Sequence, residues 1–347
     1  MTLHRFLALT ALFLPFWLGA QSLGGNSPYA FLEVPSSARS SALGGQGIAL
    51  ADGDFQLSLQ NAALVDSTQH HQLTLSYLNY FGTVNNASVA FAHHLDSTKW
   101  NLVGGIRYMD YGKFDRLDAA GVNLGNFYAS DYVFSGGASY AIDSLWTLGG
   151  QANFIYNNIA QYNSFAVALD AYALYKNPRR NITAAIGFSN LGTQIDGFTD
   201  VNDTLPLNVQ VSFTKTLKHA PLRFVVTADQ LQQWDLTYDD PNVQETVDPI
   251  TGEVSGGIDF EFGDRLMRHL TFGAEILLSD NFQFRFGYNY RRRQEMKVAS
   301  RPGTAGLSWG AGIRIKRFHI TYGRASYHLA GASNHFTVTT SLSRKQK

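Results

Sequence analysis

"NFQFRFGYNY", residues 281–290, alternates without a break. Phe282, Phe284, Phe286, Tyr288 and Tyr290 fall on one side of an extended chain, and Gln283, Arg285, Gly287 and Asn289 on the other, because strand side chains point to opposite faces with period two. Ten residues at about 3.3 Å each, tilted near 45°, rise roughly 23 Å, the height of the apolar band of an outer-membrane barrel. Strands of soluble sheets average only about five or six residues. An arginine facing lipid at the midplane costs about 2–4 kcal/mol, so Arg285 is expected to face a polar lumen and the aromatic side to meet lipid.

The same rhythm extends in both directions. Leu307, Trp309, Ala311, Ile313 and Ile315 oppose Ser308, Gly310, Gly312 and Arg314, and Phe336, Val338, Thr340 and Leu342 oppose Thr337, Thr339 and Ser341. The pattern predicts strands over 72–81, 87–95, 100–111, 131–141, 146–156, 164–175, 181–189, 206–216, 222–229, 268–277, 281–290, 306–315, 318–326 and 335–342. This gives an all-β transmembrane barrel of about fourteen antiparallel strands, an even count as bacterial barrels have. Connections alternate in length: 96–99, 143–144, 176–180, 218–221, 279–280 and 316–317 are short, while 112–130, 157–163, 190–205, 230–267, 291–305 and 327–334 are longer, with 82–86 a short exception. Short periplasmic turns and long extracellular loops are the barrel pattern, so both termini are expected in the periplasm. A secreted β-sandwich accounts for neither the strand lengths nor the loop alternation.

Residues 1–20, MTLHRFLALTALFLPFWLGA, read as a removable export signal: Arg5 precedes an apolar run too short for a spanning helix, and Gly19-Ala20 suits a peptidase. Beyond it no run reaches about 18 apolar residues, so membrane residence requires the barrel, residues 72–347. The balance of 27 basic against 27 acidic residues gives no pull toward nucleic acid. Absence of Cys excludes disulfides, thiolate metal sites and a lipidated cysteine. Residues 21–71 cannot span, and the lumen of a barrel this wide is not filled by its own side chains, so this segment is expected to plug it. Residues 36–43 suit a short helix, capped because serine is a good N-cap residue and ended by Gly44-Gly45, with Ser37 counted in the plug motif, and Arg39 is expected to reach polar groups on the wall.

"GGNSPYAFLEVPSSARSSALGG", then "GIALADGDFQLSLQNAAL" and "LTLSYLNYF", resembles the PorQ family of the Bacteroidetes type IX secretion system, and more distantly PorV and the FadL-type fatty-acid transporters. The specific part lies within about residues 24–81, and Asn61-Ala62-Ala63 stands where the family shows Asn-Pro-Ala. The resemblance implies a non-enzymatic outer-membrane anchor in the attachment complex, holding the surface protein PorZ beside PorU and PorV. The alternatives are a FadL-like transporter carrying a small hydrophobic ligand, or a PorV-like shuttle of secreted cargo.

No nucleophile elbow, zinc-protease helix or phosphate loop occurs, so neither catalytic residues nor a cofactor is expected. His70-His71 and His93-His94 read as strand neighbours on opposite faces, a geometry in which neither pair chelates one metal, and no metal site is expected. The loop over 230–267 is acidic, with Asp235, Asp239 and Asp240 beside Trp234 and Tyr238, and the next carries Arg291, Arg292 and Arg293 with Lys297 and Arg301. Solvation explains most acidic runs. Aromatics beside charges also suit a partner-binding surface, and the arginines suit ion pairing between loops, lipopolysaccharide or a docked protein.

Overall fold

The computed structural model describes residues 27–199, 201–237, 246–247, 254–255, 261–296, 303–328 and 331–342. Its strands are β1 (Gln72–Phe81), β2 (Val84–His94), β3 (Trp100–Leu117), β4 (Asn123–Ala141), β5 (Trp146–Ile159), β6 (Tyr162–Asn177), β7 (Ile182–Asp196), β8 (Asn208–Thr216) and β9 (Leu222–Ala228). After a two-residue pair, β10 (Thr246–Val247) and β11 (Val254–Ser255), come β12 (Leu270–Ser279), β13 (Phe282–Asn289), β14 (Leu307–Ile315), β15 (Phe318–His328) and β16 (Gly331–Ser341). Among the described residues, fourteen of these strands form one closed antiparallel barrel in which β9 neighbours β12 and the pair β10–β11 stands apart. The seam joins β1 to β16, from Gln72 opposite Ser341 to Asn79 opposite Asn334.

The faces sort as alternation predicts. Phe286, Trp309 and Phe336 are 51%, 47% and 50% exposed on the outside, whereas Arg285, Thr321 and Thr337 on the opposite parity are buried. An apolar exterior around a polar interior inverts the order of a soluble protein and matches an outer-membrane barrel. Arg314 shares the inward parity of Gly312 but stands exposed by the turn at 316–317.

Several connections differ from expectation. Strand β7 runs on to Asp196, β15 extends to His328 and β16 starts at Gly331, which shortens the predicted loops 190–205 and 327–334, and β2 begins at Val84 within the predicted 82–86. The predicted loop 112–130 is mostly strand, since β3 and β4 continue as a hairpin with Phe114 opposite Phe127 and Asp115 opposite Asn126. The chain there reads "KFDRL" and "NLGNFYA", so the ladder persists where a buried face, and with it the period-two signal, is lost. The predicted loop 157–163 shrinks to a turn at 160–161, with Ala160 at φ 57°. Two short helices, α2 (Phe262–Arg268) and α3 (Tyr290–Met296), occupy stretches read as loop or strand edge.

Most of the segment from Tyr29 to Val65 is buried against the inner face of the barrel, while 66–71 lie at the rim before β1. The segment contributes buried Tyr29, Phe31, Leu43, Ile48, Leu50 and Leu57, which pack against lumen-facing Met109, Val133, Ile155, Tyr172, Leu174 and Val225, and buried Phe55, which packs with Ala90, Ala92 and Val103. Helix α1 (Ala38–Ala42) is capped by Ser37, whose hydroxyl accepts from the Ser40 N–H, as anticipated. Gly44 takes φ +91°, the left-handed turn that ends the helix. Its backbone then passes so close to Gly287 that a methyl at 287 would collide with Leu43 and Gly44.

Candidate functional site

The most developed polar constellation joins this inner segment to the wall. Register places Arg223 (β9), Glu275 (β12) and Arg285 (β13) in one cross-strand row, Glu275 opposite both arginines. Arg39 enters from α1. Its Nε and Nη2 donate to the two carboxylate oxygens of Glu275, each at 2.9 Å. Its Nη1 donates to Asp52 Oδ1 and Asp54 Oδ2, both at 2.9 Å, and Nη2 also donates to Asp52 Oδ2 at 2.7 Å. All five guanidinium N–H donors are thereby used, the full capacity of the side chain. Arg223 Nη1 donates to Glu275 at 2.7 Å and to Asp52 at 2.5 Å, and Arg285 Nε donates to Glu275 at 2.8 Å.

Three guanidinium groups thus meet three carboxylates in a site where Arg39, Arg285 and Glu275 are fully buried. Burial pushes the Asp52 and Asp54 carboxyls up, but other contacts outweigh it: Arg39 and Arg223 at Asp52, and the His319 and Arg39 contacts at Asp54, hold both below the usual carboxylate range. Desolvation opposes the charge on Arg39, and the carboxylates around it prevail, so its pKa lies well above the ordinary value. Further bonds fix α1: the Ala38 N–H donates to Thr337 Oγ1 at 2.9 Å, Ser41 Oγ meets His335 Nδ1 at 2.9 Å, and Ser308 Oγ donates to the Ala42 carbonyl at 3.0 Å.

Asn61 secures the far part of the segment. Its Oδ1 accepts from the Ala63 N–H and its Nδ2 donates to the Ile48 carbonyl, both at 2.8 Å, so the turn is closed without a proline. Ser37, Arg39, Gly44, Gly45 and Asn61 therefore all stand in the inner segment, with only Arg39 among them in the charge cluster. Sequence reasoning missed Asp52, Asp54, Glu275 and Arg223. The available signal was a carboxylate on the polar parity of an apolar strand, "GAEIL", flanked in the neighbouring strands by inward arginines.

A cavity of about 370 Å³ remains beside the segment, lined by Glu33, Arg107, Gln151, Asp170, Gln210 and Arg292 among others. Polar groups make up the larger part of its lining beside Leu32, Val34, Ile48 and Val133, and among the described residues the side-chain oxygens of Gln151 and Gln210 have no partner. Asp170 also accepts the Asn190 N–H at 2.7 Å, where the β6–β7 register shifts between Leu169 and Ala171.

The arginine triplet is engaged by groups of the chain itself, the ion-pairing use among those expected of it. Arg291, Arg292 and Arg293 lie on α3, which folds back over the lumen: Arg291 pairs with Asp229 at 3.7 Å, Arg292 lies 4.1 Å from the Tyr327 ring centre, and Arg293 donates to the Gly303 carbonyl. Buried acceptors attract guanidinium groups that solvent alone would hold outward. Trp234 is 48% exposed and packs against Phe262 and His269, with ring centres 5.4 and 5.6 Å away. Tyr238, Asp239, Asp240, Lys297 and Arg301 lie outside the described residues.

The histidine pairs also depart from expectation. His70 and His71 precede β1 in a turn, with His71 at φ 56°, so their rings stack with centres 3.7 Å apart instead of diverging. Ligand atoms of His70, His71 and His93 lie within 4.8 Å of one another. The alternation rule fails here because it applies to strands, and a left-handed residue resets the side-chain direction.

No family model matches the chain, and neither does any curated protein. Solved structures do. The monoaromatic hydrocarbon channel CymD superposes with a TM-score of 0.53 at 12% identity, over 91% of this chain and 100% of that one. A FadL homologue from Pseudomonas aeruginosa gives 0.50 at 10% identity, over 90% and 99% of the two chains. A deletion mutant of the hydrocarbon channel TodX gives 0.51 at 10% identity, over 88% and 97%. The fold is that of the FadL-type outer-membrane barrels. Identities this low carry the architecture and not the activity.

Proposed function

We propose that this chain is a plugged outer-membrane barrel acting as an anchor and scaffold for a surface protein, without catalysis of its own. The observation that supports this reading is the Arg39 cluster, which ties the inner segment to β9, β12 and β13 beside a cavity of about 370 Å³. An anchor needs a rigid body in the membrane and chain outside it. The long β3–β4 hairpin and the connection between β9 and β12 supply that chain at the end remote from the seam's terminal residues. On the resemblance of the inner segment to PorQ, the partner is PorZ in the type IX attachment complex with PorU and PorV, the loops face outward and lipopolysaccharide surrounds the rim.

A second reading is a transporter of hydrophobic solutes, favoured by the likeness to barrels described as hydrocarbon channels. Against it stands the lining of the cavity, since small-molecule sites for such solutes are mostly apolar. The test is a mild-detergent pull-down from the native outer membrane, with proteins and extracted lipids identified by mass spectrometry. Stoichiometric recovery of a large surface protein supports the anchor. Recovery of the barrel alone with a defined hydrophobic molecule supports transport.

A further inference from the structure

We propose that His70, His71 and His93 form a binding site for one divalent transition-metal ion of the Zn²⁺ or Cu²⁺ class, at the seam end of the barrel. His71 Nε2 and His93 Nδ1 stand 3.3 Å apart. Two imidazole nitrogens bound tetrahedrally to zinc at about 2.05 Å are themselves about 3.3 Å apart, so this pair already has the spacing of a shared ion. His70 stacks on His71 and approaches His93, with ring centres 5.0 Å apart, as the third donor. All three are half-buried, which leaves an access route from solvent.

The donor set selects the ion. Imidazole suits zinc, copper and nickel, whereas calcium and magnesium require oxygen ligands, and the described trio contains none. The backbone contributes too. His71 N–H donates to the Ala92 carbonyl and its carbonyl accepts from Leu342 N–H, so the His71 backbone is held between β2 and the end of β16. His94 is engaged elsewhere, its Nδ1 on Asn101 Oδ1 at 2.8 Å. His70 Nδ1 accepts the His94 N–H at 3.0 Å, and this bond must open before His70 ligates. His71 Nε2 and His93 Nδ1 share a hydrogen bond at 3.3 Å that the ion would replace, so the pair gives up one bond to each other. His70 must also release the His94 backbone and is the weaker ligand.

The experiment uses the full-length, untagged barrel in detergent, titrated with ZnCl₂ by calorimetry and loaded with Cu²⁺ for electron paramagnetic resonance. One saturable equivalent of Zn²⁺ is expected, together with a copper spectrum coupled to at least two imidazole nitrogens. His71→Ala/His93→Ala is expected to weaken Zn²⁺ binding by at least about tenfold, the scale on which even supporting residues act, His70→Ala to weaken it less, and His219→Ala to leave it unchanged. Equal Zn²⁺ uptake by the wild type and the double variant, or no saturable uptake, overturns the site. If the double variant fails to fold, the wild type still decides: Zn²⁺ should protect His70, His71 and His93, but not His219, from diethylpyrocarbonate, and uniform modification overturns the proposal.

Discussion

Arg39 concentrates the energetics of the inner segment in one side chain. Removing one member of a buried ion cluster leaves its partners uncompensated and costs about 3–5 kcal/mol. Arg39→Met is therefore expected to lower the thermal unfolding midpoint of the detergent-solubilised barrel and to expose residues 27–71 to protease. Asp54→Asn in the same background should recover part of the loss, because Arg39 is the one arginine paired with Asp54 among the described residues, whereas Glu275 keeps Arg223 and Arg285. The pH dependence follows from Asp52 and Asp54. Their folded pKa values lie below the unfolded ones, so their contribution is fully present above the ordinary aspartate value of about 4 and declines as pH falls toward the depressed values. Thermal midpoints should be level between about pH 5 and 7 and fall in stronger acid, and a fall already complete at about pH 5 would contradict the assignment.

At the scale of elements, the close approach of α1 to the wall is the point most sensitive to volume. Gly287→Val is expected to unseat α1, read as new proteolytic cleavage within the inner segment, while the barrel keeps its resistance to unfolding in detergent on gels. Gly44→Ala should cost on the order of 1 kcal/mol, because alanine disfavours the left-handed backbone that Gly44 adopts. These elements also show what the sequence makes legible. Strand β13 was readable because lipid on one side and water on the other impose period two on every residue from Phe282 to Asn289. The β3–β4 extension was not, since past Asp110 no buried face sorts the side chains and only the hydrogen-bond ladder continues. Ser37, Gly44 and Gly45 could be placed from cap chemistry, which is local. The partners of Arg39 are 13, 15 and 236 positions away, and only strand register brings the last of them within reach. His71 was misread for a related reason: a single positive φ just before β1 changes where the ring points, and nothing in the histidine run announces it.

The whole molecule is a closed wall around an occupied interior, and it is expected to show no steady ion conductance in planar bilayers, whereas Arg39→Met and Gly287→Val should produce intermittent openings. A steady large conductance from the wild type would contradict an occupied lumen. The seam between β1 and β16 has a consequence for assembly. Residues 27–71 lead directly into β1, while β16 lies at the opposite end of the sequence, so the wall is complete only after nearly the whole chain has been delivered. Once those two strands meet, the enclosed segment is surrounded on every side and carries wall contacts from β2 round to β16. Occupancy of the lumen is thus tied to biogenesis: the segment is wrapped as the sheet curls around it. A chain truncated before Gly331 would have an open edge and would lose the β16 bonds to α1 while keeping the Arg39 cluster on β9, β12 and β13.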